Sequence, residues 1–542
     1  VQDASVEGEL EEAKALHVEG EAKAASPTFM ERSASRVRLL GAALREGARK
    51  RLAAFRRKGP AEISLLPLVA LIFFEVSGGP FGTEDAVSAG GGPLLALLGF
   101  AILPLVWSVP EALVTAELST AFPDNAGYAG WVRRAFGDFW GFQEGWWSWI
   151  SGVVDNAVYP VLFFSYCQSV FPWLHAPAWR LPILFGSTII MTYLNWRGLK
   201  IVGKAVVALA AASLLPFLIF TCIALTKANP SNWTYVDKSR VNVGVLLNTL
   251  FWNLNYWDSI STLAGEVEKP EHTLPKALRY GVLLVVASYF LPMLAGTGIG
   301  DPSDTHKWKE GYYSVLGDQV GGKWLGIMIL LAAIASSIGL FLAEMSSDSF
   351  QLQGMASDGQ LPAIFARRSR HGTPTLAILL SASGIVTLVT FSFIEVVELL
   401  NFMYCLAELL EFGAFLTLRV KNPDAPRPFK VPLNTWGAAL MLLPASLLLA
   451  FLMLQATMKT VLVCSVAVAV GFLLYPFLQY SKSHGWCRFL DPEESVIAHM
   501  ERPLDSEPPL EDLEEVDPEV TRELQEESTL LLPPEDRSSS PS

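Results

Sequence analysis

The feature that most constrains this chain is a series of apolar runs of about 20 residues, the length an α-helix needs to cross the hydrocarbon core of a bilayer. Lipid offers no partner to backbone N–H and C=O groups, so such runs must pair their amides internally, as helices. They fall near residues 63–90, 93–121, 138–170, 180–197, 201–226, 243–266, 275–298, 324–350, 373–392, 394–419, 432–456 and 460–480. The prediction is an all-α polytopic membrane protein with about twelve transmembrane helices. Composition agrees: 17% of residues are charged and 51% hydrophobic, where a soluble domain carries about 25% charge. A soluble enzyme is excluded as the starting class.

The net charge of −13 belongs to one end, because residues 491–542 hold 17 acidic residues against 3 basic ones. The chain divides into a segment 1–61, acidic then basic, a core 62–480 and an acidic tail 481–542 expected to be disordered. Val1 in place of a Met leaves open an upstream segment. Basic residues concentrate in the even-to-odd connections, among them Arg133, Arg134, Arg197, Lys200, Arg367, Arg368 and Arg370. The positive-inside rule then places both termini in the cytoplasm. Residues 32–58, with ten basic residues and one acid, agree as a topology determinant. Asn232, Trp233, Thr234 form a glycosylation triplet in an expected outside loop. Within the tail, Glu526 to Leu532 (EESTLLL) has the form of an acidic dileucine signal for a sorting adaptor. The five cysteines show neither a disulfide framework nor zinc spacing.

The first span carries Ser77, Gly78, Gly79, Pro80, Phe81, Gly82 in its middle. Proline lacks an N–H and glycine favours other dihedrals, so the helix must break there. The sixth span sets Trp252, Asn253, Leu254, Asn255, Tyr256, Trp257 and Asp258 at mid-membrane depth. Spans one and six are corresponding members of two five-helix halves, and interruptions at matching positions point to a secondary transporter with a midplane substrate site.

Ionisable groups within the spans are lopsided: Glu75, Asp155, Asp258, Glu398 and Glu408, with almost no Lys or Arg at similar depth. Buried carboxylates must be protonated or matched by an incoming cation, which suits a cationic substrate exchanging with protons. Trp147, Ser151, Asp155 and Tyr159 recur at four-residue steps, offering a carboxylate between aromatic rings for charge and cation–π contact. Glu84 and Asp85 follow the first break and can satisfy the exposed helix N-terminus themselves, which disfavours a substrate carboxylate. Glu117, Glu266 and Glu268, near helix ends, are expected to form gate or loop pairs.

Three blocks carry a family resemblance: Ala116 to Phe142 (AELSTAFPDNAGYAGWVRRAFGDFWGF), Gly265 to Pro275 (GEVEKPEHTLP), and Met355 to Pro362 (MASDGQLP) followed by Gly372, Thr373, Pro374. They resemble the amino acid–polyamine–organocation transporters over about residues 62–480. Glu75 to Gly82 (EVSGGPFG) and Gly152 to Pro160 (GVVDNAVYP) are most similar to the plant and algal polyamine uptake transporters of the L-type amino acid transporter-like group. The resemblance implies a LeuT-type 5+5 inverted repeat, with repeats near 62–226 and 243–420 and two further helices near 432–480. It also implies proton-coupled uptake of polyamines.

The expected substrate-binding residues are Glu75, Gly78, Gly79, Phe81, Gly82, Asp155, Asn253, Tyr256, Trp257 and Asp258, with Glu75, Asp155 and Asp258 as proton-coupling candidates. The expected function is import of polyamines of the putrescine, spermidine and spermine class, paraquat-like dications being further candidates, by alternating access. Rival readings are a cationic or neutral amino-acid transporter of the same fold and a nutrient-sensing receptor with little flux. No cofactor or metal is expected beyond the proton gradient and membrane potential, and neither a nucleic acid nor a heavy-chain partner. The plasma membrane is the expected location, with endomembranes as the alternative. No phosphate-binding loop, His-rich cluster or nucleophile beside a base supports catalysis.

Overall fold

In a computed structural model the described residues are 63–388 and 393–491. The N-terminal segment with its basic stretch, the 389–392 end of the ninth span and the Glu526 to Leu532 motif lie outside them.

The first span crosses in two pieces, α1 (Leu65–Val76) and α2 (Glu84–Ala89), because Gly78, Gly79 and Gly82 take φ of +66°, +114° and +82°. Those are left-handed values that a side chain rarely permits. The second span bends between α3 (Pro93–Val106) and α4 (Ser108–Ala121), where Pro110 withholds the amide that Val106 would receive. The third bends between α6 (Asp138–Asn156) and α7 (Val158–Val170), where Pro160 does the same to Asn156. Then come α8 (Arg180–Trp196), α9 (Leu199–Leu225) and α10 (Val243–Trp252), the first half of a broken sixth span whose other half is the 3-10 turn Ser259–Glu266. The remaining spans are α11 (Pro270–Thr297), α13 (Lys323–Ser357), α14 (Thr375–Leu388), α15 (Phe393–Lys421), α16 (Thr435–Leu454) and α17 (Met458–Ser483).

Eight of these segments are long and apolar enough to cross a membrane, and the broken first and sixth spans with α8 and α14 complete the twelve that the sequence predicts. No strand occurs among the described residues. An isolated parallel bridge joins Ile63 to Val267, fastening the start of the first span to the end of the sixth.

Two helices are additional to the apolar-run reading: α5 (Gly127–Phe136) and α12 (Tyr312–Gly321). Helix α5 buries Tyr128, Trp131 and Val132 while Arg134 pairs outward with Asp124, a surface pattern too short for a span. The eighth span also runs past 350 to Ser357, because its last turns bury Ser349, Gln351 and Gln353 against protein rather than lipid. This helix is central, with 61% of its apolar window buried, whereas the last helix, at 11%, faces outward. After α17 the chain runs back to pair Arg488 O with Ala363 N at 2.8 Å, so the first residues assigned to the tail pack on the loop after α13.

Candidate substrate site

The two breaks meet. Asn253 Nδ2 donates to Gly82 O at 3.4 Å, and a Cβ on Gly82 would lie 2.7 Å from the Trp252 ring. Backbone groups freed by the first break find protein partners: Ser336 Oγ donates to Gly78 O at 2.7 Å, and Tyr289 Oη to Ser77 O at 3.3 Å. Gly82 N donates to Glu84 Oε2 at 3.0 Å, so this carboxylate already occupies an exposed amide that a substrate carboxylate would need. At the sixth-span break, Tyr256 N donates to Tyr404 Oη at 3.0 Å and Trp257 N to Glu111 Oε1 at 2.7 Å. Irregular backbone at this depth survives where such groups are paired within the protein, as these are.

A cavity opens between the breaks, bounded by Glu75, Ser77 and Phe81 of the first span, Asp155, Tyr159 and Tyr166 of the third, and Trp252, Asn253 and Tyr256 of the sixth. Tyr289 of the seventh span and Ser336, Ser337 and Leu340 of the eighth close it. Its free space is about 20 Å³, room for a single water, so the side chains must move apart to admit a larger molecule.

Asp155, 1% exposed, lies between two rings: Trp252 Nε1 donates to Oδ1 at 2.9 Å and Tyr159 Oη donates to Oδ2. Glu75 Oε1 accepts from Ser347 Oγ, and its buried Oε2 has no hydrogen-bond partner. Behind Glu75 lie Glu344 and Asp348 of the eighth span, packed on the bare backbone of Gly152, where a Cβ would come within 2.1 Å of Asp348 Oδ1 and 2.8 Å of Glu344 Oε1. No Lys, Arg or His lines the cavity. Carboxylates with six aromatic side chains and three serines make a lining suited to an ammonium group, held by charge, hydrogen bonds and ring faces.

Of the expected substrate residues, Glu75, Phe81, Asp155, Asn253 and Tyr256 reach the cavity wall. Gly78, Gly79 and Gly82 form the backbone turn around it and are not in its lining. Trp257 is fully buried, its Nε1 donating to Leu254 O at 2.8 Å. Asp258 lies behind Tyr256, accepting from Tyr404 Oη at 2.7 Å, with oxygens of Glu408 and Glu411 within 4.8 Å. Among the described residues those three carboxylates are close enough to hold a metal ion, although no metal is expected from the sequence.

Trp147 packs instead against Met403, Ala407 and Cys464. A four-residue step on a helix overshoots a full turn by about 40°, so the face drifts away two steps from Asp155. Glu398 bonds Thr457 Oγ1 at 3.2 Å at the start of α17, away from the cavity. Glu117 pairs with Arg419 and, at 3.2 Å, with Arg427, and Glu266 pairs with Arg368 and Asn125. Asn232 is 5% exposed and its amide donates to Gly298 O at 3.2 Å and Gly300 O at 3.0 Å, so this fold does not present it as a glycan acceptor.

The sequence reading passed over Glu111, Glu144, Glu344, Asp348 and Glu411. A usable signal was present for some: Glu344 and Asp348 stand four residues apart, and Glu408 and Glu411 three apart, so each pair shares a helix face.

Comparison with known proteins places residues 63–474 within the family described as amino acid permease. A probable polyamine transporter of Arabidopsis thaliana is 55% identical over 438 residues, 81% of this chain and 91% of its own. A polyamine transporter of Oryza sativa subsp. japonica is 50% identical over 449 residues, 83% of this chain and 84% of its own. An arginine/ornithine antiporter of Latilactobacillus sakei is 26% identical over 64% of this chain and 76% of its own.

Proposed function

This chain belongs to the amino acid permease family, a multi-pass membrane transporter rather than an enzyme, and we propose that its substrate is a polyamine, moved inward by proton-coupled alternating access between the two broken spans. The observation that carries the reading is the setting of Asp155, a buried carboxylate held between Tyr159 and Trp252, sharing with the buried carboxylate of Glu75 a lining without a basic side chain. An α-amino acid brings a carboxylate that this lining repels, whereas a polyamine brings only ammonium groups. The names borne by the relatives in Arabidopsis and Oryza support the same reading.

In this proposal Glu75 and Asp155 are the partners of the ammonium groups and of the cotransported proton. Asp258, away from the cavity, is connected to its wall through Tyr404 and Tyr256. Both termini face the cytoplasm of a plasma-membrane protein, so import runs toward the side carrying the basic loops. The test is flux in proteoliposomes with an imposed pH gradient and clamped potential, using spermidine, putrescine, arginine and leucine. Saturable, gradient-dependent spermidine uptake that leucine does not inhibit supports the proposal. Preferred uptake of arginine or leucine replaces it with amino-acid transport, and binding without flux replaces it with a receptor role.

A further inference from the structure

Behind the cavity wall, a second set of acids packs between the second, third, sixth and tenth spans. Asp258, Glu408 and Glu411 bring carboxylate oxygens within 4.8 Å of one another. Glu411 lies close against Asp258 and Glu144. Glu111 joins through Tyr404, whose hydroxyl lies 2.6 Å from Glu111 Oε1 and 2.7 Å from Asp258 Oδ1. All five acids are at most 2% exposed. Among the described residues none of them makes an ion pair.

An independent observation marks the cluster as incomplete: the buried Oε2 atoms of Glu408 and Glu111 have no hydrogen-bond partner. Buried polar atoms left unpaired are costly, and a partner that supplies donors relieves the cost. The spacing suggests which donor. A primary ammonium directs three N–H groups tetrahedrally, and acceptors about 2.8 Å from its nitrogen stand about 4.6 Å apart. The three oxygens of Asp258, Glu408 and Glu411 fall within that reach, all within 4.8 Å of one another. The Tyr404 ring stands at the edge of the cluster, packed against Tyr256 with centroids 4.6 Å apart. Tyr256 itself borders the cavity, so the cluster lies directly behind one residue of its wall.

Resting on the polyamine reading of the cavity, we propose that this five-acid cluster is a second ammonium site, which takes the distal primary amine of a substrate whose near amine lies at Asp155 and Glu75. Tyr256 is then the partition that the methylene chain must pass. The arrangement selects for molecules with two separated cationic ends, since a monoamine fills one site only.

Equilibrium binding of radiolabelled spermidine and butylamine to the purified full chain in nanodiscs tests this, with wild type, Glu408→Gln, Glu411→Gln and Asp155→Asn compared at fixed pH. Thermal unfolding confirms that each variant is folded, and the two glutamine variants stand in for one another if one is not. The expected result is spermidine affinity weakened about tenfold or more by Glu408→Gln and by Glu411→Gln, with butylamine affinity unchanged. Equal losses for both amines, no loss for spermidine, or a change confined to pH dependence overturns the inference. Displacement of spermidine by Mn²⁺ in wild type but not in Glu408→Gln overturns it in favour of a metal site. If Asp155→Asn loses both amines while the glutamine variants lose neither, the cavity reading stands and this inference falls. If wild type binds neither amine, both fall.

Discussion

Tyr256 Oη and Ser151 Oγ lie 2.7 Å apart, a contact that ties the break in the sixth span to the third span. Tyr256 has φ of +66°, a region that costs a residue with a side chain about 1–3 kcal/mol. The Ser151 contact and the bond from Tyr256 N to Tyr404 Oη hold it there. The strained turn places a phenol in the cavity wall and sends the next carboxylate, Asp258, to the other side of that wall.

Tyr256→Phe keeps the ring and removes one hydrogen bond, worth about 0.5–1.5 kcal/mol. The apparent KM for spermidine is expected to rise about two- to tenfold. Tyr256→Ala also removes the ring face and is expected to cost more. Uptake kinetics on the two variants check this, and equal losses count against the ring as a contact.

The three glycines of the first break differ in what a side chain would meet. A Cβ at Gly78 would lie 2.6 Å from Ser336 Oγ, and at Gly82 2.7 Å from Trp252, whereas at Gly79 it meets only the Phe81 ring at 3.5 Å. Gly78→Ala and Gly82→Ala are therefore expected to abolish spermidine binding in protein that still inserts, Gly82→Ala by displacing the ring that bonds Asp155. Gly79→Ala carries backbone strain alone and is expected to keep part of the binding. The reverse ranking, measured by binding to purified variants, removes the close-packing explanation.

Glu117 and Arg419 are 0% and 3% exposed, and Glu117 Oε2 also accepts from Val431 N at 2.8 Å. Removing one partner of a buried pair costs about 3–5 kcal/mol, while replacing both by apolar groups is often neutral. Arg419→Met should therefore lower the unfolding midpoint markedly, and Glu117→Leu with Arg419→Met together should recover much of it. A double variant no better than the single one would show that the bonds Glu117 makes to Val431 N and Arg427, rather than the Arg419 pair, decide the loss.

Asn232→Gln should leave electrophoretic mobility in a eukaryotic host unchanged, because the side chain is committed to the carbonyls of Gly298 and Gly300. A longer amide cannot keep both bonds, so stability is expected to fall by about 1–3 kcal/mol. A mobility shift lost in the variant would show that a glycan is attached before the loop closes.

What could be read from sequence is what local chemistry dictates. Gly78, Gly79, Pro80 and Gly82 forbid a continuous helix whatever surrounds them, so the first break was legible at its true position. Asn253 to Asp258 contains neither Gly nor Pro, and its polarity signalled the sixth break without the turn at Tyr256 that puts Asp258 behind the wall. Tyr159 was legible as one ring at Asp155 from its four-residue step, but the other was not, since Trp147 and Trp252 are equally aromatic and only the packing of separate spans chooses between them. Asp348 lay near the expected end of its span, where a carboxylate reads as an interfacial residue. Its burial follows from α13 continuing to Ser357 inside the protein.

The final prediction is that Asp155 supplies much of the preference for cations. Both of its oxygens accept, one from Trp252 and one from Tyr159. Asp155→Asn keeps the size, and its amide oxygen can still accept from Trp252 Nε1 while its NH2 donates to the Tyr159 hydroxyl, which can accept. The variant thus loses the charge and can keep the arrangement of the rings. Leaving a buried charge without its partner typically costs about 3–5 kcal/mol, so apparent spermidine affinity should fall roughly a hundredfold or more. The driving force separates this from simple damage to the fold. Moving one charge across 100 mV is worth about 2.3 kcal/mol, so a divalent amine gains about 4.6 kcal/mol and uptake by wild type should grow steeply with an inside-negative potential. At saturating spermidine the residual flux of Asp155→Asn should keep that dependence on potential, because the charge moved belongs to the substrate. Unchanged affinity removes Asp155 from the site, and wild-type uptake indifferent to potential removes net movement of cationic charge.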